Sequence, residues 1–284
     1  MQLDFAPLFS GSGGNAIYVR MDETRILVDA GLSGSRIAGE MEKLDVEPGQ
    51  LDALLVTHEH SDHVAGAGIL SRRYDLPIYA TQGTWSAMHS RLGKIKPANR
   101  RVIMPGQDFY IGRVNVTPFE IPHDAQEPVG YAFEGYGIKA AIATDLGHLS
   151  ERWLARLADC DLLLLESNHD IEMLKVGRYP YPLKRRILGM RGHLSNEDAG
   201  RAAVMLYQRG VKHIILGHLS GENNFPELAY RTVADALLRE GIQPGKMIGL
   251  EVARRDCLSA VYRFSNEKSE PTLGALLAAT AVPL

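Results

Sequence analysis

The sequence predicts an α/β fold in which β-sheets pack inside flanking helices. Short apolar runs, many of them rich in β-branched residues, alternate with helical patterns along the chain. Many of these runs are apolar on both faces, as expected for strands covered on both sides by other layers. Hairpin patterns come early and strand–helix units come later, which favours sheets enclosed by helices.

The individual elements follow from these patterns. Strands are predicted at Ile26–Asp29, Leu54–Thr57, Ile78–Thr81, Val114–Ile121, Ala140–Thr144, Leu162–Leu165 and Ile214–Leu216. Helices are predicted at Val64–Arg73, Glu151–Ala158, Asn196–Arg209 and Pro226–Glu240. The third helix has Ser195 as its N-cap and Gly210 just past its end. The fourth has Pro226 in its first turn and Gly241 at its stop.

The length and composition fit one large domain. The chain has 284 residues, and no linker or repeat divides residues 1–264, so we expect a single domain over that range. Residues 265–284 are predicted to be a C-terminal tail, polar at first and then small and apolar.

Charge and hydrophobicity limit the location and the partners. The N-terminus lacks a basic region followed by an apolar stretch, and no run of about 18 apolar residues occurs, so we expect a cytoplasmic protein without a membrane span. The net charge of −3 argues against a whole-protein attraction to nucleic acid but leaves local basic patches open. The sequence does not give the oligomeric state.

Residues 57–63, which read Thr-His-Glu-His-Ser-Asp-His, carry the strongest chemical signal. They follow one predicted strand directly and precede a predicted helix. His58 and His60 point to one side of an extended loop, because side chains there repeat with a period of two. Asp62 and His63 start the helix and can face a second ion. Four ligand-type side chains this close are costly to bury without a cation, so the pattern predicts a metal site.

Further ligand-type residues stand at or just beyond the ends of other predicted strands: His123, Asp145, His169 and His218. Loops at one edge of a sheet converge in space, so we expect these side chains to complete the site. Without His169, the set holds five histidines and two aspartates, enough for two divalent ions. Nitrogen and hard oxygen ligands without thiolate suit zinc, manganese or iron.

These motifs resemble two groups of proteins, one nested in the other. The HxHxDH pattern at 58–63, followed by His123, Asp145 and His218, resembles the metallo-β-lactamase superfamily. The segments Ser-Gly-Ser-Gly-Gly-Asn at 10–15, Glu-Ser-Asn-His-Asp at 166–170 and Gly-His-Leu-Ser-Asn at 192–196 resemble the bacterial WalJ/YycJ group of nucleases. The resemblance runs from residue 2 to about residue 250. It implies a four-layer αββα metallo-β-lactamase-type sandwich.

The resemblance also implies two ligand sets: His58, His60 and His123 for one metal, and Asp62, His63 and His218 for the other. Asp145 would bridge the two ions. Position 60 is His where the oxygen-reducing diiron branch has Glu, so that branch is disfavoured. Two ions at roughly 3.5–4 Å would share a hydroxide that acts as the nucleophile, and Asp62 can also hold it in line.

His193 and Ser195 lie just before a predicted helix, where free N–H groups favour an anion. Their Gly-His-Leu-Ser segment resembles the GHST element of tRNA-maturing nucleases. That resemblance implies that His193 protonates the leaving oxygen, oriented by Glu166, while Ser195 contacts the substrate. Those enzymes have a His before the Glu, where Leu165 stands here. Either His169 substitutes for it or His193 acts alone.

Two basic runs point to a phosphate-rich substrate. The first is Arg91, Lys94, Lys96, Arg100 and Arg101; the second is Lys175, Arg178, Lys184, Arg185, Arg186 and Arg191, interleaved with Tyr179 and Tyr181. Aromatic residues beside cations suit nucleic-acid strands, and a solvated charged face is the alternative. The second run links Glu166 to His193, so we expect it to border the site, with Arg185 and Arg186 contacting the substrate.

These features favour a two-metal hydrolase that cleaves phosphodiester bonds of nucleic acid, and the resemblance favours a DNA exonuclease acting 5′ to 3′. A thioesterase or a cyclic-nucleotide phosphodiesterase of the same fold stays open, as does a metal-bound scaffold that binds nucleic acid without cutting. Asp29 is expected to end a strand and to steady a loop. Residues 10–15 are expected to form a tight turn at the rim of the site.

Overall fold

The computed structural model describes residues 2–265, which form two seven-stranded sheets. The first sheet contains β1 Gln2–Gly11, β2 Gly14–Met21, β3 Thr24–Val28, β4 Ala53–Leu55, β5 Ile78–Thr81, β6 Arg100–Ile103 and β14 Tyr262–Ser265. The second contains β7 Phe109–Ile111, β8 Val114–Glu120, β9 Val129–Gly135, β10 Ile138–Ala143, β11 Leu162–Glu166, β12 His213–Gly217 and β13 Gly249–Val252. The strand orders are β14-β1-β2-β3-β4-β5-β6 and β13-β12-β11-β10-β9-β8-β7.

Helices follow the strands in both halves of the chain. The first half contains α1 Gly34–Glu42, α2 Ser61–Val64, α3 Ala67–Tyr74 and α4 Gln82–Leu92. The second half contains α5 Glu151–Arg156, α6 Ile171–Val176, α7 Tyr181–Ile187, α8 Asn196–Tyr207 and α9 Pro226–Arg239. Short 3₁₀ turns occupy Pro48–Gln50 and Pro97–Asn99.

Three apolar layers show how these elements stack. Residues such as Phe5 and Phe133 fill the space between the sheets. Ile37 belongs to a layer formed with α1, α3 and α4 outside the first sheet. Trp153 and Leu237 belong to the layer formed with α5, α8 and α9 outside the second sheet. Both sheets are therefore covered on both faces, and the predicted four-layer αββα sandwich is confirmed.

The strand directions bring the loops of interest to one edge. Strands β3 to β6 are mutually parallel in the first sheet, as are β10 to β13 in the second. Strand β8 is also parallel to β10, because each pairs antiparallel with β9. The carboxyl ends of parallel strands open onto the same crevice, where α/β proteins place their sites. The loops after β4, β8, β10, β11 and β12 all leave from such ends.

The predicted strands are confirmed with small shifts of their ends, but one predicted helix is wrong as a continuous element. The pattern at Val64–Arg73 corresponds to two helices, α2 and α3, separated at Gly66. The backbone N–H of Gly66 donates to Ala30 O at 2.7 Å. A Cβ at Gly66 would lie 2.2 Å from Leu32 O, so the chain turns here in close contact with a distant loop.

The end of the described chain bears on the predicted tail. Ser265 is the last residue of β14 and pairs with Gln2. The rest of the tail predicted for 265–284 lies outside the described residues, so this division stays a prediction. None of the helices in residues 2–265 combines the length and the apolar character that crossing a membrane would need.

Candidate metal centre

Three histidine rings converge beside the end of β4. His60 Nδ1 lies 3.0 Å from His58 Nε2 and 3.3 Å from His123 Nε2. His58 and His123 are buried, and burial is the main cause that lowers the pKa of both rings. Their nitrogens are therefore held neutral with lone pairs available, and such nitrogens facing each other need a proton or a cation between them.

A second group forms where α2 meets the end of β12. Asp62 Oδ2 lies 3.6 Å from His63 Nε2 and 3.8 Å from His218 Nε2. Burial alone would lower the pKa of His63, but the carboxylates of Asp29, Asp145 and Asp62 raise it to about 9. The pocket is thus rich in negative charge that stabilises a cation.

Asp145 lies between the two groups. Its Oδ2 is 3.4 Å from His63 Nε2, and its Oδ1 is 3.6 Å from His123 Nε2. Within residues 2–265, Asp145 Oδ2 and His218 Nε2 are buried without a hydrogen-bond partner. Buried polar atoms without a partner are costly, and a bound cation would satisfy both. The residues present therefore fit divalent metal ions.

Backbone conformation supports this arrangement. Asp29, Asp145 and His218 have positive φ angles of 61°, 62° and 55°, a region that non-glycine residues seldom occupy. Asp29 and His218 directly follow β3 and β12, and Asp145 lies two residues past the end of β10. Such conformations persist where the surrounding structure enforces them, and they cluster at functional sites.

Buried carboxylates orient the histidines from behind. Asp29 Oδ2 accepts from His63 Nδ1 at 2.8 Å and from Thr57 Oγ1 at 2.8 Å. Glu166 Oε1 accepts from His218 Nδ1 at 2.8 Å. This arrangement leaves Nε2 of each histidine facing the pocket, the geometry by which acidic partners fix metal-binding imidazoles. Asp29 steadies the loop as expected, since Thr57 N also donates to its Oδ1 at 2.8 Å, and it contacts the ligand candidate His63 as well.

Asn15 is a site residue that the sequence did not reveal. It is buried, and its side-chain amide lies 3.1 Å from His63 Nε2. The segment 10–15 does form a tight turn, and Asn15 Oδ1 accepts from Gly11 N at 3.1 Å. Its only sequence signal is a polar residue at the end of a glycine-rich turn, which predicts a turn and no more.

Glu166 also holds His193 next to the pocket. Its Oε1 accepts from His193 Nδ1 at 2.8 Å, while Oε2 accepts from the backbone N–H groups of Leu146 and Leu194. Burial raises the pKa of the Glu166 carboxyl, but the hydrogen-bonded imidazoles outweigh burial and lower it. The His193 side chain is 18% exposed, and its ring centroid is 5.1 Å from that of His123. Since Nδ1 is taken, Nε2 is the nitrogen that can meet a substrate.

Ser195 and His169 are both buried beside the candidate site. Ser195 caps α8: its Oγ accepts from Asp198 N at 3.1 Å and donates to Asp198 Oδ2 at 2.9 Å. His169 is 1% exposed, and neither ring nitrogen has a hydrogen-bond partner in the described part of the chain. Burial lowers the pKa of His169 to about 4. His169 belongs to none of the groups that could hold a metal, and the roles predicted for both residues stay predictions.

The second basic run is tied to the loop that carries His123. Arg191 Nε donates to His123 O at 2.9 Å, and Arg186 forms an ion pair with Asp124. Arg185 is exposed, and no carboxylate in residues 2–265 pairs with it. The run therefore lies beside the candidate site, and Arg186 is already partly neutralised.

Comparison with known proteins identifies relatives over most of the chain. The protein-family model described as the beta-lactamase superfamily domain matches residues 24–219 of this chain. The chain is 43% identical to "Exodeoxyribonuclease YycJ" of Bacillus anthracis over 246 residues, which cover 87% of this chain and 93% of the relative. It is 39% identical to "Exodeoxyribonuclease WalJ" of Streptococcus pneumoniae over 243 residues, covering 85% and 90%.

Solved structures share the fold at low sequence identity. The metallo-β-lactamase fold protein YhfI from Bacillus subtilis has a TM-score of 0.68 at 17% identity. The match covers 91% of this chain and 99% of the YhfI chain. Zinc-bound PqqB from Methylobacterium extorquens has a TM-score of 0.66 at 19% identity and covers 92% and 100%. At such identities the likeness shows the metallo-β-lactamase fold alone.

Proposed function

The chain belongs to the beta-lactamase superfamily as a metal-dependent hydrolase, and on this premise we propose that it is an exonuclease that hydrolyses phosphodiester bonds of DNA. The observation that carries the proposal is the pair of three-residue groups that meet at Asp145. Relatives named exodeoxyribonucleases over 85–87% of the chain support DNA as the substrate. The 5′ to 3′ direction rests on the resemblance of the short motifs alone.

Each ion has its own ligand set in this proposal: His58, His60 and His123 for one, and Asp62, His63 and His218 for the other. Asp145 is shared between them. When bound there, two divalent ions would lower the pKa of a water molecule and offset the charge of the phosphate. Nitrogen and carboxylate donors without thiolate support zinc or manganese as those ions.

The two carboxylates among these ligands differ in access. The Asp62 side chain is 26% exposed, whereas that of Asp145 is 2% exposed. Asp62 can therefore accept a hydrogen bond from the attacking water and hold it in line with the phosphorus. Asp145 is too buried for this role and is proposed as a metal ligand only.

His193 supplies the proton that the leaving oxygen needs. Its Nδ1–H is fixed on Glu166 Oε1 at 2.8 Å, so Nε2 is directed by the same hydrogen bond. When protonated, a ring held in this way can donate from Nε2 to the departing alkoxide. Glu166 acts through His193 and is a positioning residue.

The substrate strand is proposed to pass the segment that contains α6 and α7. Arg185 offers an unpaired cation there, and Tyr181 is 72% exposed at the start of α7. An exposed aromatic ring beside a free cation favours a single strand, which stacks a base and pairs a phosphate. Arg186 contributes less because Asp124 already binds it.

The direct test digests end-labelled single-stranded and double-stranded DNA and RNA with zinc or manganese present. We expect DNA to be shortened from the 5′ end and the activity to disappear with a chelator. Matched samples of a thioester and a cyclic nucleotide provide the contrast. Turnover of either small molecule without DNA cleavage would contradict the proposal.

A further inference from the structure

The first basic run borders a groove that lies outside the candidate metal centre. The groove has a volume of about 550 Å³ and is lined by Trp85, His89, Ser90, Lys94, Ile95 and Arg100 among others. This volume falls in the range of small-molecule sites. Its apolar floor is formed by residues such as Trp85, Leu92 and Ile95, and Lys94 and Arg100 add two cations to the lining.

The cations of this groove are free, unlike their neighbour in the same segment. Lys96 pairs with Asp75 at 2.8 Å and does not line the groove. In the described chain, no carboxylate lies within ion-pair distance of Lys94 or Arg100. The Arg100 guanidinium lies 5.2 Å from the centroid of the Trp85 ring. The groove thus combines an apolar interior with uncompensated positive charge, which is complementary to a nucleotide.

The wall of the groove is firmly held. The Trp85 indole N–H donates to Arg101 O at 3.0 Å, and Arg72 donates to Leu92 O at the end of α4. Gly68 of α3 packs closely against Leu92, since a Cβ there would lie 2.0 Å from Leu92 O. A preformed site loses little entropy on binding.

Helix α4 separates this groove from the candidate metal centre. Arg91 Nη1 donates to the backbone oxygen of Glu59, which lies between His58 and His60. A helix with its side chains is about 10 Å across, so a strand that reaches both places crosses α4. The nucleotide in the groove is then not the one being cleaved.

We propose that this groove, defined by Trp85, His89, Ser90, Lys94, Ile95 and Arg100, binds a nucleotide of a single-stranded DNA segment remote from the scissile bond. The proposal rests on the nuclease function above. The base lies on the apolar floor, and its phosphate contacts Lys94 and Arg100. The groove would lengthen the bound strand and would add nothing to the cleavage of small phosphodiesters.

The test compares Lys94→Glu with Lys96→Glu, which makes the same charge change two residues away on a paired side chain. KM and kcat are measured on an oligodeoxynucleotide, a dinucleotide and bis-p-nitrophenyl phosphate over a salt series. We expect Lys94→Glu to raise KM severalfold for the oligodeoxynucleotide alone and to lower its salt slope by about 1. Lys96→Glu should behave like the wild type. Equal behaviour of the two variants overturns the proposal.

A second variant, Ser90→Trp, fills the groove and keeps its charges. It should also raise KM for the oligodeoxynucleotide and spare bis-p-nitrophenyl phosphate. An unchanged KM would mean that DNA contacts only the charged surface and does not enter the groove, and this result would overturn the proposal. Because the wild-type enzyme is measured in parallel, its failure to cut DNA would sink the nuclease function instead. Self-association that Lys94→Glu abolishes would assign the groove to a second copy of the chain and also overturn the proposal.

Discussion

The two sheets supply the candidate metal centre in different ways. After β4, the first sheet gives His58, His60, Asp62 and His63 from one short loop and the helix α2 that follows it. The second sheet gives single side chains from the ends of separate strands: His123 after β8, Asp145 after β10 and His218 after β12. In the first half, the short loop itself holds the ligand candidates close together. In the second half, the order of the strands in the sheet brings them together.

The carboxylates that orient the histidines also differ between the two sheets, in how many histidines each one contacts. Asp29 orients one ligand candidate, His63. Glu166 Oε1 contacts both His218 and His193 at 2.8 Å, so it couples a ligand candidate to the proposed proton donor. In the proposed mechanism, Asp29 therefore serves metal binding alone, and Glu166 links metal binding to proton transfer.

The largest expected effect comes from the residue that both groups share. Asp145→Ala removes the carboxylate between His63 and His123, so bound metal and activity should both fall to background. Metal analysis and DNA digestion measure the two losses. His148→Ala, three residues away, should keep both near the wild-type level. Similar behaviour of the two variants would contradict the proposal that both ions share Asp145 as a ligand.

His193→Ala should separate proton transfer from metal binding. The kcat on DNA should fall by roughly 10²–10⁴-fold while the metal content stays unchanged. The loss should shrink on bis-p-nitrophenyl phosphate, because nitrophenolate leaves without a proton. Equal losses on both substrates would make His193 a phosphate contact, and a loss of metal would make it a ligand.

Asp29 and Glu166 should differ when each carboxylate becomes an amide. Asp29→Asn should lower metal affinity by roughly 10–100-fold, and excess metal should restore the activity. Glu166→Gln should lose metal affinity similarly, but excess metal should not restore kcat, because the single amide oxygen of Gln cannot accept from all four N–H groups that contact Glu166, including His193 Nδ1. Titration of activity with zinc or manganese measures the difference. Full rescue of both variants would contradict the coupling assigned to Glu166.

A smaller effect is expected at the exposed cation of the second half. Arg185→Glu should weaken the binding of long DNA and lower the salt slope by about 1, without changing the cleavage of a small phosphodiester. Arg239→Glu is the matched control, because it stands at the end of α9, away from the carboxyl edges of the strands. An unchanged salt slope would return the second basic run to a solvated face.

The same contrast explains how much the sequence could predict. The dense motif after β4 indicated its chemistry directly, and polar residues following apolar runs located His123, Asp145 and His218. The contacts of Asn15 and Asp29 were beyond prediction, since both meet His63, 48 and 34 positions along the chain. The break at Gly66 was missed for a related reason: it depends on Ala30 and Leu32, which no local pattern contains.

Elements with weak patterns were also missed. Strand β1 contains Pro7 and an irregular register between Pro7 and Phe9, which obscures its alternation. Helix α4 buries Trp85, Met88 and Leu92 at helical spacing, but Gly, Ser and Thr fill much of the rest and lower its helix propensity. Packing between α3 and α4 stabilises this helix where local sequence does not.

The most direct test of the two-metal account is the metal content of the intact chain. The seven proposed ligands, three for each ion and the shared Asp145, exceed what one tetrahedral site takes. Elemental analysis after reconstitution with zinc or manganese should therefore approach two ions per chain, and chelation should remove the activity together with the metal. A content that stays at one ion or below after reconstitution would contradict the account.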